Sequence, residues 1–232
     1  MRNELVLEDL NDGLVLKQLC VEDFDRIEEF TRFVFDVYRE ELFRRFGWRA
    51  TEQNFSDMLA QELSYCHRGA FLIVEHVASQ QIMGSIRGIG WEEGLQFTCE
   101  ESSGIGIPEL AAQENLEPEQ LMHVSQIAVA ENFLLALGYR RGRSRVLLQR
   151  LFAHLGEVCL NNDTQMIVGE TDPLVERRYA LVGVNMKPCS PIFADPPPFL
   201  VGTRFTAARV SEVMASPRYP RVAPVSPNKL AA

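Results

Sequence analysis

The sequence predicts a mixed α/β (α+β) fold, a central sheet flanked by helices. Apolar residues alternate between strand and helix spacing in the order strand, helices, hairpin, strand, helix, strand, helix, strand. The chain has 232 residues and is 46% hydrophobic, enough for one sizeable core. No internal repeat or linker is visible. Residues 1–215 therefore read as a single domain, followed by a loose proline-rich tail over 216–232.

Leu14 to Cys20, LVLKQLC, reads as the first strand. Acidic Glu22 and Asp23 mark a helix start, and Phe24, Ile27, Phe30 and Val34 follow at helical spacing. A second helical stretch holds Tyr38, Leu42, Phe43 and Phe46 and stops near Gly47. Thr51 can cap a third helix, with Phe55, Met58, Leu59 and Leu63 on one face. Ala70 to His76 and Ile82 to Gly90 form a hairpin around a polar turn. Residues 92 to 120 are acidic and read as a long surface loop with one short helix, the kind of loop that often serves function. Leu121 to Ala130 is the next strand. Arg143 to Leu160 is the strongest helix, with Leu147, Leu151, Leu155 and Val158 in one stripe. A strand over Gln165 to Glu170, a helix over Pro173 to Leu181 and a strand over Phe199 to Val210 complete the order.

Composition excludes several classes. A net charge of −9 argues against nucleic acid as a partner. Cys20, Cys66, Cys99, Cys159 and Cys189 are odd in number and form no CxxC pair. They argue against a disulfide framework and against a metal site, and they fit a cytoplasmic protein. The polar, acidic N-terminus is unlike a signal peptide. The longest apolar runs are too short for a membrane span. No GxSxG nucleophile motif is present.

The chemistry concentrates in residues 121–152, LMHVSQIAVAENFLLALGYRRGRSRVLLQRLF. A strand ends in Ile127-Ala128-Val129, and the strong helix begins after Arg140-Arg141-Gly142-Arg143-Ser144-Arg145. Glycine lets a ligand approach the backbone, and the free N–H groups of a helix N-terminus bind anions. Arginines crowded there oppose the helix dipole unless an anion sits among them. A bound pyrophosphate would resolve that conflict. The competing reading is a solvated arginine face paired with the chain's many carboxylates.

This segment resembles motif A of the GNAT acyltransferase superfamily: Arg or Gln, two variable residues, Gly, one variable residue, then Gly or Ala. The matching positions are Tyr139, Gly142 and Ser144, of which tyrosine and serine depart from the pattern. Residues 14–27 resemble the first strand and helix of that family, and the hairpin at 70–90 its next two strands. DPLVERRYALVGVNMKP resembles its motif B helix, with Tyr179 before Gly183-Val184. The resemblance covers about residues 14–210 and implies a sheet of six or seven strands. It also implies acetyl-CoA or another acyl-CoA as cofactor. The backbone at Ile127, Ala128 and Val129 would hold the pantetheine arm, and the turn with Arg140, Arg141, Gly142, Arg143, Ser144 and Arg145 the pyrophosphate.

Acyl transfer from a thioester to an amine needs a neutral amine, a stabilised oxyanion and a protonated leaving thiolate. Neutralising a lysine-like amine at pH 7 costs roughly 4–5 kcal/mol. The resemblance points to Tyr179 as the acid, the Val129 N–H as the oxyanion donor, and His123 near the position of a family glutamate as the base. Strand alternation places His123, Ser125, Ile127 and Val129 on one face, and imidazole titrates near neutrality. Glu170 is the second candidate base. Both Tyr179 and His123 also admit purely structural readings.

VYREELFRRFGW resembles the N-terminal region of acyl-homoserine lactone synthases and N-acyl amino acid synthases, with Arg39, Phe43 and Trp48 at their arginine, phenylalanine and tryptophan. Gly84-x-x-Arg87 is similar to their later glycine–arginine pair, and His123-Val-Ser-Gln126 stands where they carry Glu-Leu-Ser-Arg. The acidic pair expected after tryptophan is absent. Three readings follow. The first is an acyl-CoA-dependent N-acyltransferase acting on a small-molecule amine or amino acid. The second is a synthase taking its donor from the phosphopantetheine of an acyl carrier protein. The third is a catalytically degenerate GNAT fold used as a sensor or interaction module. Oligomeric state stays open, a homodimer included.

Overall fold

The computed structural model describes residues 4–97, 100, 103–194 and 202–217. Most of the proline-rich tail, from residue 218, and Cys99 lie outside them. The first strand, Leu5–Asp9 (β1), precedes those read from the sequence. It pairs antiparallel with Leu14–Gln18 (β2) across a turn in which Asn11, Asp12 and Gly13 all have positive φ. Asn, Asp and Gly tolerate that conformation best.

Phe24–Phe46 forms one continuous helix (α1), where the sequence suggested two stretches. Asp23 caps its start by accepting from the Arg26 N–H, and Gly47 ends it at φ 71°. Glu52–Tyr65 (α2) opens with a reciprocal capping box between Thr51 and Asn54. The hairpin follows as Gly69–His76 (β3) and Gln81–Gly90 (β4). The acidic region supplies one short helix, Ile107–Gln113 (α3). Leu121–Val129 (β5) leads through an unforeseen helical turn, Glu131–Ala136 (α4), into Arg143–Asn161 (α5). Met166–Thr171 (β6) and Pro173–Val182 (α6) come next, the helix capped by Asp172 and ended by Gly183 at φ 97°. Lys187–Pro188 (β7), Phe193–Ala194 (β8), Gly202–Arg209 (β9) and Val210–Met214 (α7) close the order.

One open, mixed sheet runs β1-β2-β3-β4-β5-β6-β9-β7, with β8 pairing onto β9 beside that path. Eight strands lie along the path, which corrects the expected six or seven. The additions are β1 and the two-residue strands, which are too short to show a period of two. The parallel register of β5 with β6 covers only Leu121–His123 against Met166–Val168. Past it, a Cβ on Gly169 would sit 2.6 Å from the Val124 carbonyl oxygen, so only glycine fits there.

Two compact units form: residues 4–87 with Gln126–Leu155, and Gly88–Ser125 with residues 156–217. In the first, Leu19, Ile27, Phe30, Val34, Phe71 and Ile73 make a dry core, Phe30 meeting Phe71 edge-to-face at 5.2 Å. A buried ion network flanks it. Arg26, 2% exposed, pairs with Glu4 at 2.5 Å, Glu75 at 2.7 Å and Glu29, while Lys17 bridges Glu4 and Glu75. In the second, β6 and β9 carry buried Ile167, Val168, Phe205 and Ala207. Thr171 and Thr206 bond to each other between those strands at 3.1 Å. Among the described residues no helix is long and apolar enough to cross a membrane.

Candidate functional site

The first unit holds the end of β5 from Gln126, the turn, and α5 as far as Leu155. Gly142 takes φ 87°, and no atom lies within 4 Å of where its Cβ would stand. The turn is open, not packed against the protein. The Arg143 N–H returns to the Arg140 carbonyl at 3.1 Å, but the Ser144 and Arg145 amides make no hydrogen bond among the described residues. These are the orphan donors of a helix start. No acidic residue stands in the first turn of α5.

The four arginines divide. Arg143 donates to the Leu10 carbonyl at 3.0 Å, which ties the helix to the β1–β2 connection. Tyr139 does the same, its hydroxyl donating to the Asp12 carbonyl at 2.5 Å while its ring meets His76 edge-on. Tyr139 therefore anchors the turn where the family pattern has a polar residue. Arg140, Arg141 and Arg145 are exposed and make no ion pair or hydrogen bond among the described residues. Three guanidinium groups thus stand uncommitted around an open glycine turn.

Strand β5 has an irregularity that its sequence does not announce. Gln126 takes φ 53°, so the alternation expected from His123 to Val129 is interrupted there. Beyond it, Ala128 is buried while Ile127 and Val129 are half-buried. A polar cluster holds the bulge. Ser85 donates to the Gln126 carbonyl at 2.9 Å, and the Gln126 amide donates to Glu62 Oε1 at 2.8 Å. Arg87, 3% exposed, pairs with the same oxygen of the fully buried Glu62 and lies over the Tyr65 ring. Tyr38, on α1, feels the charges of both Arg87 and Glu62. Burial pushes its phenol up to about 12, with the Arg87 charge opposing, so it stays protonated at neutral pH. Sequence reasoning noted Arg87 and Gln126 singly. Nothing in spacings of 24, 25 and 39 residues joins them to Tyr38 and Glu62.

The second unit holds the three candidate proton-transfer groups. His123, on β5, is 6% exposed and stacked on Phe97 with ring centroids 4.4 Å apart. Glu100 fixes the segment carrying Phe97, accepting from the Phe97 and Ile107 amides at 2.7 and 2.8 Å. Glu170, half-buried, lies opposite Phe205 in the β6–β9 ladder. Tyr179, half-buried on α6, gives its carbonyl to the Gly183–Val184 cap. Beside it Glu176 grips Arg204 with both carboxylate oxygens, a fork absent from the sequence reading.

Of the lactone-synthase positions, Arg39 pairs with Asp36, Phe43 is exposed and Trp48 packs edge-on to Phe35. Glu62, on α2, supplies a carboxylate partner for Arg87. Cys20, Cys66, Cys159 and Cys189 are free thiols, and no metal-binding cluster occurs among the described residues.

No family model matches the chain, and no curated protein matches it. Solved structures do. The N-acyl amino acid synthase FeeM from uncultured soil microbes aligns over 89% of this chain and 95% of its own, at 14% identity and a TM-score of 0.61. A GNAT-family acetyltransferase from Staphylococcus aureus Mu50 aligns over 85% and 99%, at 13% identity and a TM-score of 0.50. The CoA-dependent acyl-homoserine lactone synthase BjaI, solved with SAM and isopentyl-CoA, aligns over 83% and 80%, at 16% identity and 0.51. The chain thus has the fold shared by GNAT acetyltransferases, N-acyl amino acid synthases and acyl-homoserine lactone synthases.

Proposed function

We propose that this chain is an N-acyltransferase that moves an acyl group, acetyl foremost, from acyl-CoA to the amine of a small molecule or amino acid. The observation that carries the reading is the open turn at Gly142, with free amides at Ser144 and Arg145 and three uncommitted arginines. A diphosphate matches that arrangement, since the amides, the helix dipole and the guanidinium groups all favour negative charge. The bulged strand at Ile127–Val129 precedes it in the same unit and suits the pantetheine arm. The isopentyl-CoA held by a lactone synthase of this fold supports the same donor.

In this reading the amine nitrogen bonds to the thioester carbonyl carbon and loses its proton to His123, or to Glu170, while the tetrahedral oxyanion accepts from the Val129 N–H. The oxyanion then re-forms the carbonyl as an amide, the C–S bond breaks with its electron pair going to sulfur, and Tyr179 gives its proton to the departing thiolate. Each group is assigned by chemistry and by resemblance. A second reading, donor delivery by the phosphopantetheine of an acyl carrier protein, is favoured by the fit to an N-acyl amino acid synthase along nearly all of both chains.

Calorimetry with CoA tests the donor site, and turnover of a primary-amine panel with acetyl-CoA or a long-chain acyl carrier protein tests the reaction. Binding of CoA with turnover of acetyl-CoA is expected. Turnover only from the carrier protein selects the second reading. Absence of binding and of turnover with either donor refutes both.

A further inference from the structure

The segment that would receive the diphosphate has little of its own to fix its shape. Gly138 and Gly142 border Tyr139-Arg140-Arg141, both take φ 87°, and no atom lies within 4 Å of where either Cβ would stand. The Arg140, Arg141 and Gly142 amides make no hydrogen bond among the described residues. A backbone with so few restraints loses much conformational entropy when a ligand orders it. Two side chains tie this one down. The Tyr139 hydroxyl donates to the Asp12 carbonyl at 2.5 Å, and the Arg143 guanidinium donates to the Leu10 carbonyl at 3.0 Å.

Both ties end on a connection that is itself fixed. Between β1 and β2 the Leu10 N–H reaches the Leu14 carbonyl at 2.9 Å, and the Leu14 N–H reaches the Asn11 carbonyl at 3.1 Å. The Gly13 carbonyl accepts from the Val77 N–H at 2.8 Å, which joins the connection to the end of β3. Along β1, Glu8 meets Arg150 and His154 of α5 at 3.0 Å each. Arg143, Arg150 and His154 follow at spacings of seven and four, so one side of α5 lies against β1 and its connection. The Tyr139 ring adds an edge-on contact with His76, the last residue of β3.

We propose that the β1–β2 connection braces the donor turn and that Tyr139 is the positioning residue through which it acts. The hydroxyl, with Arg143, holds the turn at Gly142 in the shape that accepts a diphosphate, before the ligand arrives. A turn already in that shape binds without the cost of being ordered. This rests on the donor reading above. It gives a role in binding to a strand that makes no contact with the proposed ligand and to a tyrosine that departs from the family pattern.

Tyr139→Phe removes the hydroxyl and keeps the ring against His76. No charge changes and no proposed ligand contact is lost. The variant should bind CoA about three- to tenfold more weakly, the worth of one hydrogen bond. The factor should be the same at 50 mM and 500 mM salt, because the arginines are untouched. A tyrosine whose role is only structural would lower the melting temperature and leave the affinity alone. Gly13→Ala strains the connection from its own side: the residue sits at φ 78°, and the new methyl lies 3.8 Å from the His76 ring and 4.0 Å from the Tyr139 hydroxyl. It should weaken CoA binding in the wild-type background and add little to Tyr139→Phe, since both act through one contact.

Calorimetry with CoA on wild type, the two single variants and the double variant is the test, run well below each melting temperature. A salt-independent loss in Tyr139→Phe, with losses that do not add in the double variant, supports the proposal. Unchanged CoA affinity in Tyr139→Phe, a loss confined to low salt, or fully additive losses overturn it and leave the donor reading intact. Failure of wild type to bind CoA removes the donor reading and this proposal with it. Amide exchange in the free chain gives a second measure that needs no ligand. The Arg143 N–H, bonded to the Arg140 carbonyl at 3.1 Å, should exchange faster in Tyr139→Phe than in wild type, and an unchanged rate overturns the brace.

Discussion

Replacing Gly142 by aspartate separates the cost of backbone strain from the cost of charge. Gly142 sits at φ 87°, in the left-handed region, and a Cβ there meets no atom within 4 Å. The strain is therefore conformational and amounts to about 1–2 kcal/mol. For a chain of this size that lowers Tm by roughly 2–8 °C without unfolding it. The added carboxylate faces the phosphate path. One unit charge 4 Å from another costs about 1 kcal/mol in bulk water and about 4 kcal/mol at the effective dielectric of a protein surface. The turn is exposed, so a value near 2 kcal/mol is appropriate, or roughly a thirtyfold loss of CoA affinity. Gly142→Ala carries the same strain without the charge and serves as the control. Calorimetry with CoA gives the affinities, and circular dichroism gives the fold and Tm. If aspartate and alanine variants bind CoA as tightly as wild type while both fold, no diphosphate lies on this turn.

Three further outcomes follow from other parts of the chain. Burial by itself would raise the Glu4 carboxyl, but hydrogen bonds and charge from Lys17 and Arg26 hold it below its ordinary value of 4.5. Its contribution to stability is therefore complete above that value and is lost as pH falls through the lowered one. Denaturant midpoints measured from pH 7 to pH 3 should fall at the acid end, and Glu4→Gln should flatten that fall. Gly169→Ala places a methyl 2.6 Å from the Val124 carbonyl, so a strand must shift; about 2 kcal/mol of stability should be lost, read as a lower denaturant midpoint. Tyr179→Phe should reduce kcat by about a hundredfold or more with CoA affinity unchanged, and unaltered turnover would remove its assignment as the acid.

The parts of the fold that were readable from sequence are those governed by local rules. Leu147, Leu151 and Leu155 lie at helical spacing, and all three are buried on α5. Thr51 and Asn54 form the expected cap, and Gly183 ends α6 in the left-handed conformation. What could not be read depends on tertiary contact. β1 is five residues long and is stabilised by pairing with β2, not by a pattern of its own. The bulge at Gln126 has no glycine to announce it, and is held instead by Ser85 and Glu62, 41 and 64 residues away in the chain. Arg87 finds its acidic partner in Glu62 on α2, 25 residues earlier in the chain, and no local pattern announces that pairing. Tyr139 was read as a defect in the motif, because its hydroxyl acts on a carbonyl 127 residues earlier.

The arginines around Gly142 allow the two readings of that segment to be weighed. A solvated basic face would be paired, because the chain has 32 acidic residues against 23 basic ones. Elsewhere most are paired: Arg26, Arg32, Arg39, Arg44, Arg87, Arg150, Arg204 and Arg209 each meet a carboxylate, whereas the isolated, exposed Arg49 and Arg177 have no ion pair among the described residues. Arg143 is satisfied by a carbonyl. Arg140, Arg141 and Arg145 alone around this turn are left without one, at the end of a helix whose dipole already disfavours positive charge. Mutual repulsion and the dipole both oppose this clustering, and no partner among the described residues offsets them. A bound dianion would relieve all three terms together. The same argument requires CoA affinity to fall steeply with salt, since exposed guanidinium groups are screened within about 10 Å at 0.1 M. Affinity that holds between 50 mM and 500 mM salt would mean that these arginines do not carry the binding.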